Sequence, residues 1–377
     1  MLVSFKVSNF LSILDEQELC LYPSRVRLHK DHVYKSKNPK LPQVLKSSLL
    51  YGANSSGKSN MVKAIAFSKK LICTSQKNDI LDVPIFKLLK YQKIETKFTY
   101  EIILKDTCYL YSFIIEHGLI KEECLKIISN NNEKLIFERI TNDEKVIVKF
   151  NIKFEKSEEF HKIISKGTKT SQLFINYINE QNAGEIEEVF KDIYHWFKNK
   201  FTIISPDGTA KSFEIKIIDD KVLKDFYEKY LNLLDTGIDK LEFVEISFDD
   251  PKFMIPDIHK QEIEQEVINK NEGVIVNISK YDTYYIQKQS NDLRVRKIKA
   301  SHKLNDNNAY IQFDFNEESD GTNRILNLIP MLYMLEQGHT VIIDEIDRSF
   351  HTLISEKIFE LFFKNTSNIQ SQLIATT

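Results

Sequence analysis

A glycine-containing loop near the N-terminus has the residue types that bind phosphate. Residues 52–59 read Gly-Ala-Asn-Ser-Ser-Gly-Lys-Ser and match the pattern G-x-x-x-x-G-K-S/T at every specified position. In phosphate loops of this type the backbone N–H groups face the phosphates, so we expect Lys58 to reach the β- and γ-phosphates and Ser59 to ligate Mg²⁺. A chance glycine–serine turn is the alternative, which the full match between a strand and a helix disfavours. The predicted nucleotide contacts are Gly52, Asn54, Ser55, Ser56, Gly57, Lys58, Ser59 and Asn60.

Two adjacent carboxylates follow a short apolar run near the C-terminus. Residues 341–343 are Val-Ile-Ile, which is typical of a parallel strand buried on both faces, and Asp344 and Glu345 come directly after them. Ligands of open α/β sheets bind at the carboxyl ends of the strands. We therefore expect Asp344 to hold Mg²⁺, directly or through water, and Glu345 to polarise the water that attacks a phosphate. An exposed acidic turn is the alternative, and the phosphate loop makes it the weaker one.

A polar segment lies between these two motifs, at residues 318–324, and is called the signature segment below. It contains Ser319, Gly321 and Thr322 ahead of an apolar helix predicted over residues 322–335. Small polar residues at a helix start can bind an anion through free backbone N–H groups. Taken alone, the segment is better explained as an ordinary helix cap. Its position between the phosphate loop and the acidic strand favours a second phosphate contact.

Apolar periodicity predicts the elements that must position these residues. Alternation with period two predicts strands, and apolar residues at helical spacing predict helices. The predicted strands cover residues 3–8, 48–51, 98–104, 109–115, 273–287, 293–300, 310–315, 340–343 and 372–377. The predicted helices cover residues 61–72, 185–201, 221–234, 262–269 and 322–335. The nucleotide core is therefore expected to draw on both ends of the chain.

The composition is that of a globular chain without a strong overall charge. At 377 residues the chain exceeds the usual size of one compact domain, which predicts two lobes or a head with an insertion. A formal net charge of −2 provides no general basic field for nucleic acid. Cys20, Cys73, Cys108 and Cys124 lack the spacing of a zinc or dithiol site. With no signal peptide and no run of eighteen apolar residues, we expect a cytoplasmic protein that does not enter the membrane.

The most basic stretch of the chain allows two interpretations. Its cations are Arg294, Arg296, Lys297, Lys299, His302 and Lys303, and the tyrosines that precede it are Tyr281, Tyr284 and Tyr285. Cations interleaved with aromatic rings are typical of a nucleic-acid stripe. The strand-like spacing favours instead the solvated face of a strand pair. Nucleic acid is therefore a possible partner that the sequence does not establish.

Three motifs in a fixed order carry a family resemblance. Residues 52–59, Ser319–Thr322 and Ile342–Asp347 resemble the ABC-type ATPases related to RecF, SMC and OLD proteins. The resemblance is closest to the bacterial AAA-fifteen ATPases, which are often components of abortive-infection and anti-phage modules. It extends through Asn9–Ile13 and Pro84–Leu88 and covers the helical middle only loosely. It implies an α/β fold, an ABC-type P-loop ATPase head with an antiparallel β flap and a helical insertion.

This resemblance predicts three regions along the chain. Residues 1–154 are expected to form an N-terminal ATPase lobe with the phosphate loop and antiparallel strands. Residues 155–305 are expected to form a mostly helical insertion with returning strands. Residues 306–377 are expected to form a C-terminal ATPase lobe with the signature segment and the acidic strand.

The resemblance also implies ligands and partners. It implies ATP and Mg²⁺, with Lys58 and Glu345 as catalytic residues, and head-to-head dimers or higher oligomers that sandwich two ATP molecules. In such dimers the phosphate loop of one subunit faces Ser319–Thr322 of the other. Asp347 would lie in the loop that communicates across the dimer, or else cap the next helix. OLD-type relatives carry a nuclease domain after the head, where this chain ends, so we expect a separately encoded effector, with a nuclease as the leading candidate.

Two positions depart from the family pattern. Relatives carry Arg or Lys where this chain has Leu11, which removes the expected basic contact to nucleotide or DNA. The final strand, residues 372–377, stops where relatives place a histidine that senses the γ-phosphate, which implies a truncated chain or impaired hydrolysis. The glutamine that links Mg²⁺ to the insertion has no assigned position. The alternatives to a hydrolysing regulator are a DNA-repair ATPase of the RecF or SMC kind and a scaffold that holds nucleotide with little turnover.

Overall fold

The computed structural model describes most of the chain in two compact units. The described residues are 1–25, 28–53, 55–74, 79–88, 95–129, 132–142, 145–153, 158–181, 186–206, 217, 220–248, 257–270, 273–277, 283–289, 292–304, 309–348 and 352–377. Asn54 and Tyr281, singled out above, lie outside the described residues. The first unit comprises Met1–Pro206, Met334–Ile346 and Phe362–Thr377, and the second comprises Asp207–Tyr333 and Asp347–Leu361.

A seven-stranded antiparallel sheet forms one layer of the first unit, in the order β10-β9-β8-β7-β6-β1-β2. Its strands are β1 Leu2–Ser8, β2 Gln17–Cys20, β6 Glu95–Leu104, β7 Thr107–Glu116, β8 Leu119–Ser129, β9 Asn132–Asn142 and β10 Lys145–Phe150. Lys105 and Asp106 join β6 to β7 with φ angles of 44° and 55°. Positive φ at both central residues is typical of the tight turns that connect right-twisted hairpin strands. The antiparallel meander predicted from residues 98–115 is confirmed.

A four-stranded parallel sheet forms a second layer and combines strands from distant parts of the chain. Its order is β11-β17-β18-β5, and all its neighbouring strands are parallel. The strands are β5 Ser47–Leu50, β11 Phe201–Ile204, β17 Thr340–Ile343 and β18 Gln372–Thr376. Every residue of β17 and β18 is buried, as expected for central strands covered on both faces. The prediction that both ends of the chain contribute strands to one core is confirmed. A separate pair is formed by β3 Val33–Tyr34 and β4 Val44–Leu45.

Four helices of the first unit pack against these layers. They are α1 Lys58–Cys73, α2 Glu158–Gly167, α3 Phe174–Glu180 and α4 Glu188–His195, the last followed by a π-helical turn over Trp196–Lys200. The rings of Phe174 and Phe190 lie 5.1 and 5.7 Å from that of Phe137 in β9. Residues 158–204 therefore share the core of the first unit, whereas the sequence grouped residues from 155 onward with the insertion. Phe201 begins a strand, so the helix predicted over residues 185–201 stops before it.

A buried carboxylate attaches α3 to the antiparallel sheet. Glu123 in β8 is fully buried and accepts hydrogen bonds from Phe174 N at 2.6 Å, Ile175 N at 3.1 Å and the Tyr111 hydroxyl at 2.8 Å. The first N–H groups of a helix have no partner within the helix, and a carboxylate satisfies them well. Burial raises the pKa of Glu123, which the neighbouring Arg139 guanidinium and the three donors oppose.

The second unit contains a smaller antiparallel sheet with its own apolar core. The sheet has the order β12-β15-β14-β13, and β16 also pairs with β15. Its strands are β12 Lys240–Ser247, β13 Val274–Asn277, β14 Thr283–Gln289, β15 Asp292–Lys303 and β16 Tyr310–Phe313. Val267, Ile286 and Val295 belong to that core. The single strand predicted over residues 273–287 is wrong, because β13 and β14 pair as two antiparallel strands.

The remaining helices complete a mixed α/β architecture. They are α5 Lys221–Leu233, α6 Asp257–Lys270, α7 Asp320–Glu336 and α8 Thr352–Asn365. A parallel sheet with a phosphate-loop segment, an antiparallel flap and intervening helices confirm the predicted α/β fold class. Among the described helices, none combines the length and the apolar character needed to cross a membrane.

Candidate functional site

The phosphate loop connects β5 to α1 and turns sharply through two left-handed residues. Ser55 has a φ angle of 65° and Gly57 one of 98°. Ser56 N donates to Ala53 O at 3.2 Å, which closes the curl of the loop. A Cβ atom at Gly52 would lie 3.0 Å from the Ser56 hydroxyl, so a side chain there would crowd the loop. The backbone thus has the curled form that presents successive N–H groups at a helix start.

The Lys58 side chain folds back over this loop. Its Nζ donates to Gly52 O at 2.6 Å and to Ala53 O at 3.0 Å. These carbonyls belong to the first two residues of the loop, so the ammonium is held at the loop and not extended into solvent. An ammonium has three donors, so exchanging one of these bonds for a phosphate oxygen leaves the other able to anchor the side chain.

The acidic pair lies at the carboxyl edge of the parallel sheet, beside the first turn of α1. Asp344 N donates to Ile204 O at 3.0 Å, so β11 orients the residue that follows β17. Asp344 is 3% exposed, and the Ser59 hydroxyl donates to its Oδ1 at 3.2 Å. The structure therefore brings together Ser59 and Asp344, which the sequence assigned to one Mg²⁺. Glu345 is partly buried and has a left-handed φ angle of 53°.

Thr376 at the end of β18 binds the turn that follows β17, and the sequence analysis did not identify it. Its hydroxyl donates to Asp344 Oδ1 and accepts from Glu345 N at 2.8 Å. Its carbonyl accepts from Ile346 N at 3.0 Å. The only signal in the sequence is a threonine at the end of an apolar strand, and the adjacency of β18 to β17 is needed to recognise it.

Two further segments of the family pattern meet beside α1. Asn9 is fully buried, its Oδ1 accepts from Phe86 N at 3.2 Å, and Leu11 N donates to Pro84 O at 2.6 Å. Asn60 Nδ2 donates to the Ser12 hydroxyl at 2.6 Å. These contacts border a cleft of about 580 Å³ that is lined by Leu11, Ser12, Asn60, Pro84, Phe86 and Lys87, among others. The cleft places apolar side chains and one lysine next to the first turn of α1.

The signature segment forms a helix cap in the second unit. The Ser319 hydroxyl accepts from Thr322 N at 3.0 Å, and α7 begins at Asp320. Asn323 is buried and its Nδ2 donates to Phe315 O at 2.8 Å, which fixes the start of the helix. The contacts around Ser319 and Thr322 are those of an ordinary cap, and Gly321 lies on the partly exposed first turn. A role in binding phosphate stays a prediction.

The basic strand β15 is paired with carboxylates of its own unit. Arg294 and Arg296 contact Glu245 at 3.0 and 3.5 Å. Lys297 and Lys299 contact Asp314 at 3.0 and 3.4 Å. Pairing reduces the positive potential that a nucleic-acid stripe requires. These contacts support the alternative that residues 294–299 form the solvated face of a strand pair.

One group with metal-ligating residue types escaped the sequence reasoning. His29, Asp31 and His32 have ligand atoms within 4.8 Å of one another, and the pattern His-x-Asp-His was the available signal. The His29 and His32 rings stack at 4.8 Å with planes 23° apart, and His32 also stacks on Phe363 at 3.6 Å. Because imidazole lone pairs lie in the ring plane, these two rings do not converge on a common ion. Burial lowers the pKa of His32.

Comparison with protein families yields one match over most of the chain. The matching family model is described as "AAA domain, putative AbiEii toxin, Type IV TA system" and covers residues 47–377. This confirms the resemblance to AAA/ABC-like ATPases of abortive-infection type. None of the curated proteins matches the chain significantly.

Solved structures with a similar course of the chain include heads of SMC proteins. An SMC head bound to the C-terminal winged-helix domain of ScpA has 12% identity and a TM-score of 0.42, covering 100% of this chain and 89% of that one. The SMC head domain from Thermotoga maritima has 10% identity and a TM-score of 0.40, with the same coverage. The head with an extended coiled coil, bound to a ScpA domain from Pyrococcus furiosus, has 11% identity and a TM-score of 0.40, covering 100% and 89%.

Proposed function

We propose that this chain is an ATPase that regulates a separately encoded effector in antiviral defence. The chain belongs to the family of AAA domains whose description is "putative AbiEii toxin, Type IV TA system". The observation that carries the proposal is the contact between Ser59 and Asp344, at 3.2 Å, next to a curled phosphate loop. This contact links the phosphate loop to the acidic strand, the two motifs that the sequence assigns to one Mg²⁺–ATP site. We place this activity in the cytoplasm.

The oxygen atoms at the sheet edge fit Mg²⁺. The ion prefers oxygen ligands at 2.0–2.1 Å in an octahedron, so two neighbouring ligands lie about 2.9 Å apart. Ser59 Oγ and Asp344 Oδ1 are 3.2 Å apart and need only a small adjustment to share one ion. Mg²⁺ would there neutralise charge that develops on the phosphates. Ser59 and Asp344 are the residues that would hold it.

The remaining residues have distinct roles in the proposed hydrolysis. N–H groups of the curled loop bind the phosphates, and Lys58 exchanges a loop carbonyl for a β- or γ-phosphate oxygen. Glu345 orients and polarises the attacking water from the turn after β17. The cleft lined by Leu11, Pro84 and Phe86 provides an apolar surface on which the adenine base can rest beside α1.

ATP is proposed to hold two copies of the chain together. In this arrangement the signature segment of one subunit supplies Ser319, Gly321 and Thr322 to the γ-phosphate bound by the other. The support is the family resemblance, because Ser319 already accepts hydrogen bonds from Thr322 N and Asn323 N. Closure of the dimer changes the affinity for an effector only to the extent that the effector binds the open and closed states differently.

The separately encoded effector can be tested directly in cells. The gene next to this one is co-expressed with it, the complex is affinity-purified, and phage plating is measured. Protection is expected from the wild type with its neighbour and not with Lys58→Ala. Lys63→Ala is the matched control, because Lys63 is an exposed residue of the same helix α1, and it should protect. Full protection by this chain alone, with no co-purifying protein, would show that the effector proposal is wrong.

A further inference from the structure

We propose that Thr376 is a positioning residue, whose hydroxyl holds Asp344 and Glu345 in the geometry needed for hydrolysis. The inference rests on the proposed ATPase function and goes beyond it by assigning a residue outside the phosphate loop and the acidic pair. Thr376 is 1% exposed, so its hydroxyl is sheltered from competing water.

The direction of the two hydrogen bonds follows from the chemistry of a hydroxyl. Glu345 N–H can only donate, so the Thr376 oxygen accepts from it at 2.8 Å. The single hydroxyl proton is then directed at Asp344 Oδ1, an acceptor-only carboxylate oxygen. Thr376 thereby links the backbone of the water-polarising residue to the side chain of the Mg²⁺-binding residue. A hydrogen bond to an ionised acceptor is stronger and more directional than a neutral one.

The backbone at Glu345 explains why this link is needed. Glu345 has a φ angle of 53°, in the left-handed region that residues with a Cβ rarely adopt. Such a conformation persists only when its surroundings enforce it. Thr376 contacts both sides of this residue, because its hydroxyl accepts from Glu345 N and its carbonyl accepts from Ile346 N at 3.0 Å. The direction in which Glu345 projects its carboxylate therefore depends on Thr376.

The hydroxyl of Thr376 also has a role that Ser59 cannot replace. Both hydroxyls contact the same oxygen, Asp344 Oδ1. When Ser59 turns its oxygen towards a cation, its proton can no longer reach Asp344 in the same way, whereas Thr376 stays in place on β18, the strand next to β17. Residues that orient a metal ligand affect metal affinity or activity about 10- to 100-fold. The loss should therefore appear in kcat and in the Mg²⁺ requirement, with little change in ATP affinity.

The test compares Thr376→Val with Thr376→Ser in the full chain. Valine keeps the β-branched shape that fits a buried strand but lacks the hydroxyl, and serine keeps the hydroxyl. We expect Val to lower kcat and raise the half-saturating Mg²⁺ concentration by about 10- to 100-fold. Binding of a fluorescent ATP analogue should stay within about threefold, and Ser should recover most of the activity. Thermal unfolding of both variants verifies that the sheet is intact.

The outcomes separate this inference from the function on which it rests. Hydrolysis by Thr376→Val at the wild-type rate and Mg²⁺ requirement overturns the positioning role alone. A Ser variant that is as slow as the Val variant also overturns it, because the hydroxyl would then not be the cause. A wild type that neither binds nor hydrolyses ATP overturns both the inference and the proposed function.

Discussion

Ser59 and Asp344 are 285 positions apart in the chain, yet the hydroxyl of one donates to the carboxylate of the other at 3.2 Å. Ser59 lies in the first turn of the helix that follows β5, and Asp344 follows β17, with β18 between the two strands. Parallel strands bring their carboxyl ends to the same edge of a sheet, where a ligand can reach both residues. The contact brings the phosphate loop and the acidic strand together at this edge, as the proposed site requires.

Substitution of Lys58 and of Glu345 should separate nucleotide binding from hydrolysis. Lys58→Ala removes the cation that is proposed to contact the phosphates and should abolish ATP binding in calorimetry with Mg²⁺. Glu345→Gln keeps the shape of the side chain but not its charge, so ATP should bind while phosphate release slows by at least about 100-fold. Lys63→Ala on the exposed side of α1 should behave as the wild type. Equal ATP affinity of Lys58→Ala and the wild type would refute the assignment of the site.

Substitution of Gly321 should reveal whether the signature segment acts across a subunit boundary. Gly321→Asp adds a carboxylate to a helix start that is proposed to face the γ-phosphate of a second subunit, and the two negative charges repel. We expect normal ATP binding without ATP-dependent dimerisation in light scattering. Gly321→Ala is the neutral control and should still dimerise. If Gly321→Asp assembles with ATP as the wild type does, the segment is only a helix cap.

Gln372 should be important for stability because it joins the antiparallel sheet that contains β1 to the parallel sheet that contains β17 and β18. Its fully buried amide donates to Leu2 O at 2.8 Å and Leu45 O at 3.0 Å, and accepts from Leu2 N at 2.6 Å and the Thr340 hydroxyl at 3.1 Å. Gln372→Leu leaves these groups without a partner, at a cost of about 2–4 kcal/mol in the free energy of unfolding. Denaturant unfolding measures the loss.

The matched control for this substitution is Gln337→Leu. Gln337 is exposed, so the same change there should alter the free energy of unfolding by no more than about 0.5 kcal/mol. A loss below about 1 kcal/mol for Gln372→Leu would mean that the buried amide is not required to join the two sheets.

Protonation of His339 should weaken the fold in mild acid. Burial lowers the pKa of His339 from 6.5 to about 4, and the charges of Lys200 and Lys69 contribute. The unfolded chain takes up this proton first, so stability is complete above about pH 6.5 and decreases as the pH falls towards about 4. With allowance for partial exposure, we expect a loss on the order of 1–2 kcal/mol. His339→Gln should flatten this slope in pH-dependent unfolding, and identical slopes would contradict the assignment.

The parts of the site that could be predicted from the sequence are those with local signals. The phosphate loop has a fixed spacing, and Asp344 follows an apolar run whose burial is evident from its composition. Thr376 and Gln372 could not be recognised in the same way. Their roles depend on which strands become neighbours, and the residue types of an apolar strand do not indicate with which strand it pairs. Long-range pairing, and not residue type, makes them important.

The boundary of the helical region illustrates the same limit. Helical spacing predicted helices after residue 155, but it could not specify the surface against which they pack. Phe174 and Phe190 contact Phe137 of the antiparallel sheet, and Glu123 caps the helix that begins at Phe174. These helices thus belong to the first unit, although their amphipathic pattern would suit either unit equally well.

The position of β18 in the parallel sheet has a consequence for how the protein is made. The Ser47 hydroxyl of β5 donates to Leu373 O, 326 positions later, so β5 has no partner strand in this sheet until β18 is synthesised. The hairpins of residues 95–150 are local and can form while the ribosome is still translating, at about 5–20 residues per second. A nascent chain therefore carries the phosphate loop for most of its synthesis without β18, the strand that pairs with β5. The sheet edge that brings Ser59 and Asp344 together therefore forms only after β18 has been synthesised.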